Sequence, residues 1–432
     1  MASEWPRLTL REAQVSLIDC DHRTPPAADS GYPYVAIPQL SDGRIDIASA
    51  RRISHTDFVD WTRRAAPAPD DIVLSRRTNP GVTAFVPDGL EFALGQNLVL
   101  LRSDGTVVYP PFLRWLVRGP EWWEQIGRFL NVGAVFDSLK CVDIPNFRLR
   151  IPPLPEQRRI ADILGTLDDK IELNRRMNET LEAIARALFK SWFVDFDPVR
   201  AKSEGRDPGL PPHLANLFPD SFEDSELGEI PTGWRVMALT DLAEVNARTL
   251  GRSDRLDVID YVEISEVTRG QVANVVRYKR GTEPSRARRR LAHGDTVLST
   301  VRPDRGSYFL SLSPPETIIV STGFAVATPR DGNWAFLYSA LTRPEVGDEL
   351  GRLADGGAYP AVRPEAVAGL LFVSPQVGET RTAYEELARP LYERSAHNRI
   401  DNRLLASLRD TSLPTLISGK VRADAARGTI VP

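Results

Sequence analysis

The chain has 432 residues, enough for two or three domains that each bury a core, and its 42% hydrophobic and 26% charged content is ordinary for a soluble globular protein. No apolar run approaches the ~18 residues that cross a bilayer, the N-terminus MASEWPRLTL lacks the basic-then-apolar plan of a signal peptide, and two cysteines, Cys20 and Cys141, make neither a disulfide framework nor a tetrahedral zinc site. A cytoplasmic protein with reduced thiols and no membrane contact is the expectation. The net charge of −4 is unevenly placed: residues 195–230 hold nine acids against three bases, so the rest of the chain is slightly basic.

In chain order, residues 1–152 read as a β-rich domain of short strands and Pro/Gly turns, with strands over Asp71–Ser75, Thr83–Val86 and Gln96–Leu101. Residues 153–194 read as one long helix. Pro155 suits a first helical turn, and Glu156 an N-terminus that favours an acid. From there Ile160, Leu164, Leu167, Ile171, Asn174, Asn178, Leu181, Ala185, Leu188 and Trp192 recur at 4-3 spacing, the a/d seam of a coiled coil. Residues 195–230 form an acidic, proline-rich linker, expected to be partly ordered. A second β-rich domain follows over 231–375, then a C-terminal helix over 376–422 and a tail, 423–432. The seam of that helix runs Tyr384, Ala388, Leu391, Ser395, Asn398, Asn402, Leu405 and Leu408, with Pro390 predicting a kink or a late start.

The second half repeats the first. Asp71-Ile-Val-Leu-Ser75 matches Asp295-Thr-Val-Leu-Ser299 at an offset of 224. At the same offset, Gly133-Ala134 matches Gly357-Ala358, and Asn174-Arg175, Asn178 and Leu181 match Asn398-Arg399, Asn402 and Leu405. Tyr34–Ile37 matches Tyr261–Ile264 at 227. Asparagines at matching seam positions fix register, so the two helices are expected to pair with each other. The fold class is α+β: two β-rich domains separated by two long antiparallel coiled-coil helices, an internal repeat with a pseudo-two-fold axis.

The segment Ile151-Pro-Pro-Leu-Pro-Glu-Gln-Arg-Arg-Ile160, with its continuation to Trp192-Phe-Val-Asp-Phe196, resembles the central conserved region of type I restriction-modification specificity subunits. The stretch Asn402-Arg-Leu-Leu405 to Leu416-Ile-Ser-Gly419 is similar to their distal conserved region, and Gly228-Glu-Ile-Pro231…Gly233-Trp234 to the start of a second target-recognition domain. Val373-Ser-Pro-Gln376 departs from the Pro-Pro-x-x-Glu-Gln pattern. The resemblance implies that each β-rich domain reads half of an interrupted double-stranded DNA target and that the helices set the gap. It also implies that two methyltransferase subunits, using S-adenosylmethionine, dock along the helices, and that ATP-consuming restriction subunits join them. This chain itself would carry no cofactor.

On that reading the DNA-contacting candidates are basic or amide side chains at loops, which hold phosphates or read guanine bidentately. They are Arg51, Arg52, Arg63, Arg64, Arg76, Arg77 and Asn79 in the first domain. In the second they are Lys279, Arg280, Arg286, Arg288, Arg289, Arg290, Arg302 and Arg305. The plain alternative for the basic runs is a solvated surface. The turns Gly133–Phe136 and Gly356–Tyr359 could admit DNA backbone or a flipped base, while Trp115, Trp122 and Trp123 read as core.

No catalytic or metal-ligating constellation stands out. There is no GxxxxGK[ST] phosphate loop, no glycine-rich cofactor loop and no Asn-Pro-Pro-aromatic run. Pro69-Asp70 with Asp168-x-Lys170 imitates a nuclease set, but Asp168 lies on the heptad helix and reads as solvated. A fragment of a fused restriction-methylation enzyme lacks support for that reason. A coiled-coil scaffold binding only proteins remains the alternative.

Overall fold

The computed structural model describes residues 5–133, 136–251, 254–355, 360–376 and 378–423. It divides into two compact units, Met1–Leu173 with Asp401–Pro432, and Asn174–Ile400. The division passes through both long helices, Leu154–Phe193 and Glu379–Ile417, rather than at their ends.

The first unit is built on a four-stranded antiparallel sheet in the order Val15–Asp19, Leu98–Ser103, Ile72–Ser75, Thr83–Phe85. The second unit repeats it as Ala243–Val245, Phe324–Pro329, Asp295–Ser299, Tyr308–Ser311. The repeated Asp-x-Val-Leu-Ser motif forms one of the two inner strands of each. It is a continuous apolar run, not an alternating one, because both faces are covered. In the first unit Ile72 and Leu74 enter one core cluster, with Trp115 and Trp122, while Val73 enters another, with Val35 and Phe92.

The motif's polar ends explain themselves. Asp71 is buried and takes Arg102 (2.7 and 2.6 Å) and the Ala68 amide; Asp295 takes Arg248 (2.8 and 2.9 Å) and the Ala292 amide. Buried acids so satisfied fix where each strand begins. A second sheet in each unit holds a parallel pair, Tyr32–Val35 with Ala93–Leu94 and Val258–Val262 with Ile318–Ser321.

Within each unit the long helices lie side by side and antiparallel, as expected. In the first unit Asn402 Nδ2 donates to the Ile171 carbonyl at 3.2 Å, and the Ala423 amide to Glu156 at 2.9 Å. In the second, Asn398 Nδ2 donates to Asn178 Oδ1 at 2.8 Å, Ser395 Oγ to Glu182 at 2.8 Å, and the Tyr384 hydroxyl to the Ala185 carbonyl at 3.0 Å. Ile160, Leu164, Leu167, Ile171, Asn174, Asn178 and Asn398 are buried, and Leu181, Asn402 and Leu405 half-buried.

Four expectations need correction. The second helix does not start late: it begins at Glu379 and continues through Pro390, because Tyr384, Ala388 and Tyr392 around it are packed into the core and outweigh one missing amide. Its seam is not Leu391 and Leu408: Tyr392 and Arg409 are the buried residues, while Leu391 is half-buried and Leu408 is exposed. The acidic stretch 195–230, expected to be only partly ordered, is built into the second unit. It carries helices Asp197–Ser203 and Pro212–Ala215 and a hairpin, Phe222–Ser225 with Gly228–Pro231, and buries Phe196, Val199 and Phe218 in the second unit's core. Last, Asp168 is not solvated: it is 3% exposed and paired with Arg409 at 2.5 Å.

The long helix also holds the second unit through Glu385, which is 2% exposed and accepts from the Ala335 (2.8 Å) and Phe336 (3.1 Å) amides and from Arg389 (3.2 Å). Burial pushes its carboxyl pKa up, although these donors oppose the shift. A carboxyl raised in the folded state contributes stability at low pH that is lost as pH rises through its folded value. Glu385→Gln, which keeps an acceptor for the amides, is expected to flatten that decline; thermal unfolding midpoints at pH 5 and pH 8 measure it.

Candidate nucleic-acid interface

The chain leaves each motif strand into a strained turn, and the two turns are built alike. After Ser75, the Ser75 hydroxyl donates to the Arg77 carbonyl (2.9 Å), Thr78 takes φ +64°, and the Leu139 amide donates to the Arg76 carbonyl (2.9 Å). After Ser299, the hydroxyl donates to the Val301 carbonyl (2.7 Å), Arg302 takes φ +47°, and the Val362 amide donates to the Thr300 carbonyl (2.8 Å). A second segment brackets each turn through bridges Arg77–Ser138 and Asn131–Ser138, and Val301–Ala361 and Asp355–Ala361. Left-handed backbone at a threonine and an arginine costs of order 1 kcal/mol or more and persists only where the surroundings over-determine it. Its recurrence at equivalent positions marks the turn as a site. Thr78→Gly is expected to raise stability by about 0.5–1 kcal/mol, since glycine adopts this conformation freely; urea unfolding checks it.

The predicted residues divide by place. Arg77 and Asn79 stand exposed on the first turn, with Arg76 half-buried and its Nη1 3.4 Å from the Leu139 carbonyl. Arg305 is exposed and Arg302 half-buried on the second. The structure thus brings Arg76, Arg77 and Asn79 together, and Arg302 with Arg305.

The other first-domain pairs lie elsewhere. Arg51 stacks on Tyr34 (4.7 Å) and donates to the Pro25 carbonyl, and Arg52 sits within strand Arg51–Ile53. Arg63 binds Asp60 just past helix His55–Thr62, with Arg64 exposed beside it.

The run 279–290 is not one cationic patch. Its strands, Val276–Lys279 and Ala287–Arg290, are the two edges of a four-stranded sheet, so Lys279 and Arg289 belong to opposite edges. Glu283, with a 6% exposed side chain, holds Arg280 (2.6 Å) and lies 3.8 Å from Arg288, while Asp254 holds Arg290 (3.1 Å). Burial lowers the Arg289 pKa. Lys279 and Arg286 are the exposed members. Sequence counting missed this because a single acid, once buried, neutralises more than its number suggests.

Two further expectations meet the structure here. Trp115 and Trp122 are fully buried as core, but Trp123 is 48% exposed, since it lies one residue round the helix Pro120–Phe129 from the face that Trp122 and Ile126 bury. Of the glycine turns, Ala134-Val135 and Gly356–Tyr359 lie outside the described residues.

Residues 22–183 match the model of the type I restriction modification DNA specificity domain. The chain is 25% identical over 454 aligned positions to the HindI type I restriction enzyme specificity subunit of Haemophilus influenzae, covering 91% of this chain and 95% of that one. Residues 22–183 thus carry the type I DNA specificity domain, and nearly the whole chain is similar to a type I specificity subunit. The MjaIX type I specificity subunit of Methanocaldococcus jannaschii is 23% identical over 82% of this chain and 78% of its own length. The crystal structure of the type I restriction-modification S subunit from M. genitalium shares the fold, with a TM-score of 0.58, 15% identity and 96% coverage of both chains.

The family motif now has a physical account. In Pro-Pro-Leu-Pro-Glu-Gln, Gln157 is fully buried. It accepts from the Tyr109 amide (2.7 Å) and donates to the Val107 (2.9 Å) and Pro152 (2.7 Å) carbonyls. Glu156 takes the Ala423 amide. Gln157 anchors the helix start to its own domain and Glu156 to the chain beyond the C-terminal helix, roles that two polar residues ahead of a heptad pattern do not announce. In the second unit Arg381, matching Gln157 at the offset of 224, does this work through Ser374 (3.0 Å), the Pro375 carbonyl (3.0 Å) and Asp331 (3.2 Å).

Proposed function

We propose that this subunit reads an interrupted duplex DNA target, each unit offering its strained turn to one half-site and the two long helices setting the interval between them. The observation that carries this is the turn itself. It is built twice with the same hydrogen bonds, it holds arginines and an asparagine, and it leaves a strand that is immobile on both faces. Phosphate contacts would come from Arg64, Lys279 and Arg286, and base readout from Arg77, Asn79, Arg302 and Arg305.

Two methyltransferase subunits, with restriction subunits joining them, would supply the chemistry this chain leaves to others. S-adenosylmethionine and ATP would belong to those subunits. Leu173, Ile184, Leu387, Ile400 and Leu404, all exposed on the long helices, support protein docking there. No helix among the described residues is long and apolar enough to cross a membrane.

The test is co-expression with a methyltransferase subunit of the same restriction-modification system, followed by base-resolution mapping of N6-methyladenine. The expected result is one gapped, asymmetric motif methylated on both strands. An assembled complex that adds no methylation would remove the DNA-reading role and leave a protein scaffold.

A further inference from the structure

We infer that Trp123 is a specificity-determining residue of the first unit, an apolar plate that receives the 5-methyl group of a thymine in that unit's half-site. The inference rests on the target-reading role proposed above and adds to it a chemistry that the two units do not share.

Trp123 is half exposed, yet its ring is held in place. A Cβ added at Gly81 would lie 3.0 Å from Trp123 Cζ3, so the indole edge lies directly against Gly81, which closes the first turn at φ +95°. Gly81 is fixed in its turn: its amide donates to the Ser75 carbonyl (3.0 Å), and its carbonyl accepts from Trp122 Nε1 (3.0 Å). The segment bracketing the same turn leaves Val132 83% and Phe136 51% exposed. Apolar surface thus lies on the segments that flank the turn carrying Arg77 and Asn79.

Base edges in the major groove offer polar atoms at every pair, and one apolar group, the thymine methyl. An exposed ring fixed beside an arginine and an asparagine matches a site where one base is read by its methyl and its neighbours by hydrogen bonds.

The second unit differs at the same place. Residues 120–129 match 344–353 at the offset of 224, which sets Gly347 where the first unit has Trp123. There the turn is longer, with a 3-10 helix at Pro303–Arg305; a Cβ on Gly347 would lie 3.6 Å from the Pro303 carbonyl. Asp304 and Arg305 are exposed on that turn, and Arg305 is a cation suited to guanine or phosphate.

The experiment uses the subunit in complex with its methyltransferase and, as probe, a duplex carrying the methylated motif. Each thymine of the motif is replaced singly by deoxyuridine, which removes only the methyl. One replacement, confined to one half-site, is expected to weaken binding by the wild-type complex about fourfold, the worth of one buried methyl group. The same replacement is expected to have no effect on the Trp123→Ala complex, which binds the unmodified duplex more weakly and methylates sites with any base pair at that position. Trp123→Phe, which keeps a ring against Gly81, should retain the coupling and guards against a folding defect. Arg305→Ala should relax the other half-site only.

The inference is overturned if Trp123→Ala binds the unmodified duplex as wild type does, or if every deoxyuridine substitution has the same effect on both complexes. It is equally overturned if the first half-site contains no thymine. A wild-type complex with no gapped motif would instead remove the role on which the inference stands.

Discussion

Replacing Arg409 with leucine is expected to destabilise the first unit by about 3–5 kcal/mol, toward the lower end of that range. The guanidinium is 3% exposed and contacts Asp168 at 2.5 Å, Asp410 at 2.8 Å and Asp42 at 3.7 Å. Without it Asp168, with a 4% exposed side chain, is left buried without the guanidinium that its site was built around. Arg114 and Arg118, largely buried and electrostatically coupled to Asp168, soften the loss without making the bond. Asp168→Asn should cost less, because Arg409 retains Asp410. The double replacement Asp168→Leu with Arg409→Met should recover most of the loss, since a buried pair exchanged for apolar groups of similar volume is often neutral. Urea unfolding of the four proteins decides this. Equal stability of Arg409→Leu and wild type would mean that the pair contributes nothing.

Trp122→Ala is expected to remove about 3–5 kcal/mol and to abolish reading of one half-site. The indole is fully buried among the first unit's core residues, and its N–H is the donor that holds the Gly81 carbonyl at the base of the turn. Trp122→Phe separates the two roles: most of the apolar volume stays, while the carbonyl loses its donor at a cost of about 1–3 kcal/mol. Methylation mapping of the Phe variant should show degeneracy confined to the half-site read by the first unit, with the other half unchanged. Degeneracy in both halves, or in neither, would break the link between this tryptophan and the turn.

Much of the architecture was legible because it repeats. The Asp-x-Val-Leu-Ser duplication located one inner strand in each unit, and the heptads located both helices, since periodicity is a local property. What was not legible depended on which side chains meet. Asp168 reads as a surface acid until Arg409, 241 residues later, is placed against it. The run 279–290 reads as a patch until Glu283 and Asp254 take three of its arginines. Pro390 reads as a break until its neighbours are seen in the core. The turns themselves were found from sequence, as arginines and an asparagine following a strand. Their backbone strain was not, because neither threonine nor arginine signals positive φ as glycine does.

The side chains that fasten each domain to its helix grip mainly main-chain atoms. Gln157 holds the Tyr109 amide and the Val107 and Pro152 carbonyls; Glu385 holds two amides at the start of helix Trp334–Leu341; Arg381 holds the Pro375 carbonyl. Main-chain groups are the same whatever residue carries them. These polar fastenings therefore place little constraint on which residues carry the gripped groups; the constraint lies in the apolar contacts, such as Phe189 and Phe193 against Phe336. A domain of the same backbone put in place of either one would keep these polar fastenings, provided that it kept the apolar side chains that meet the helix.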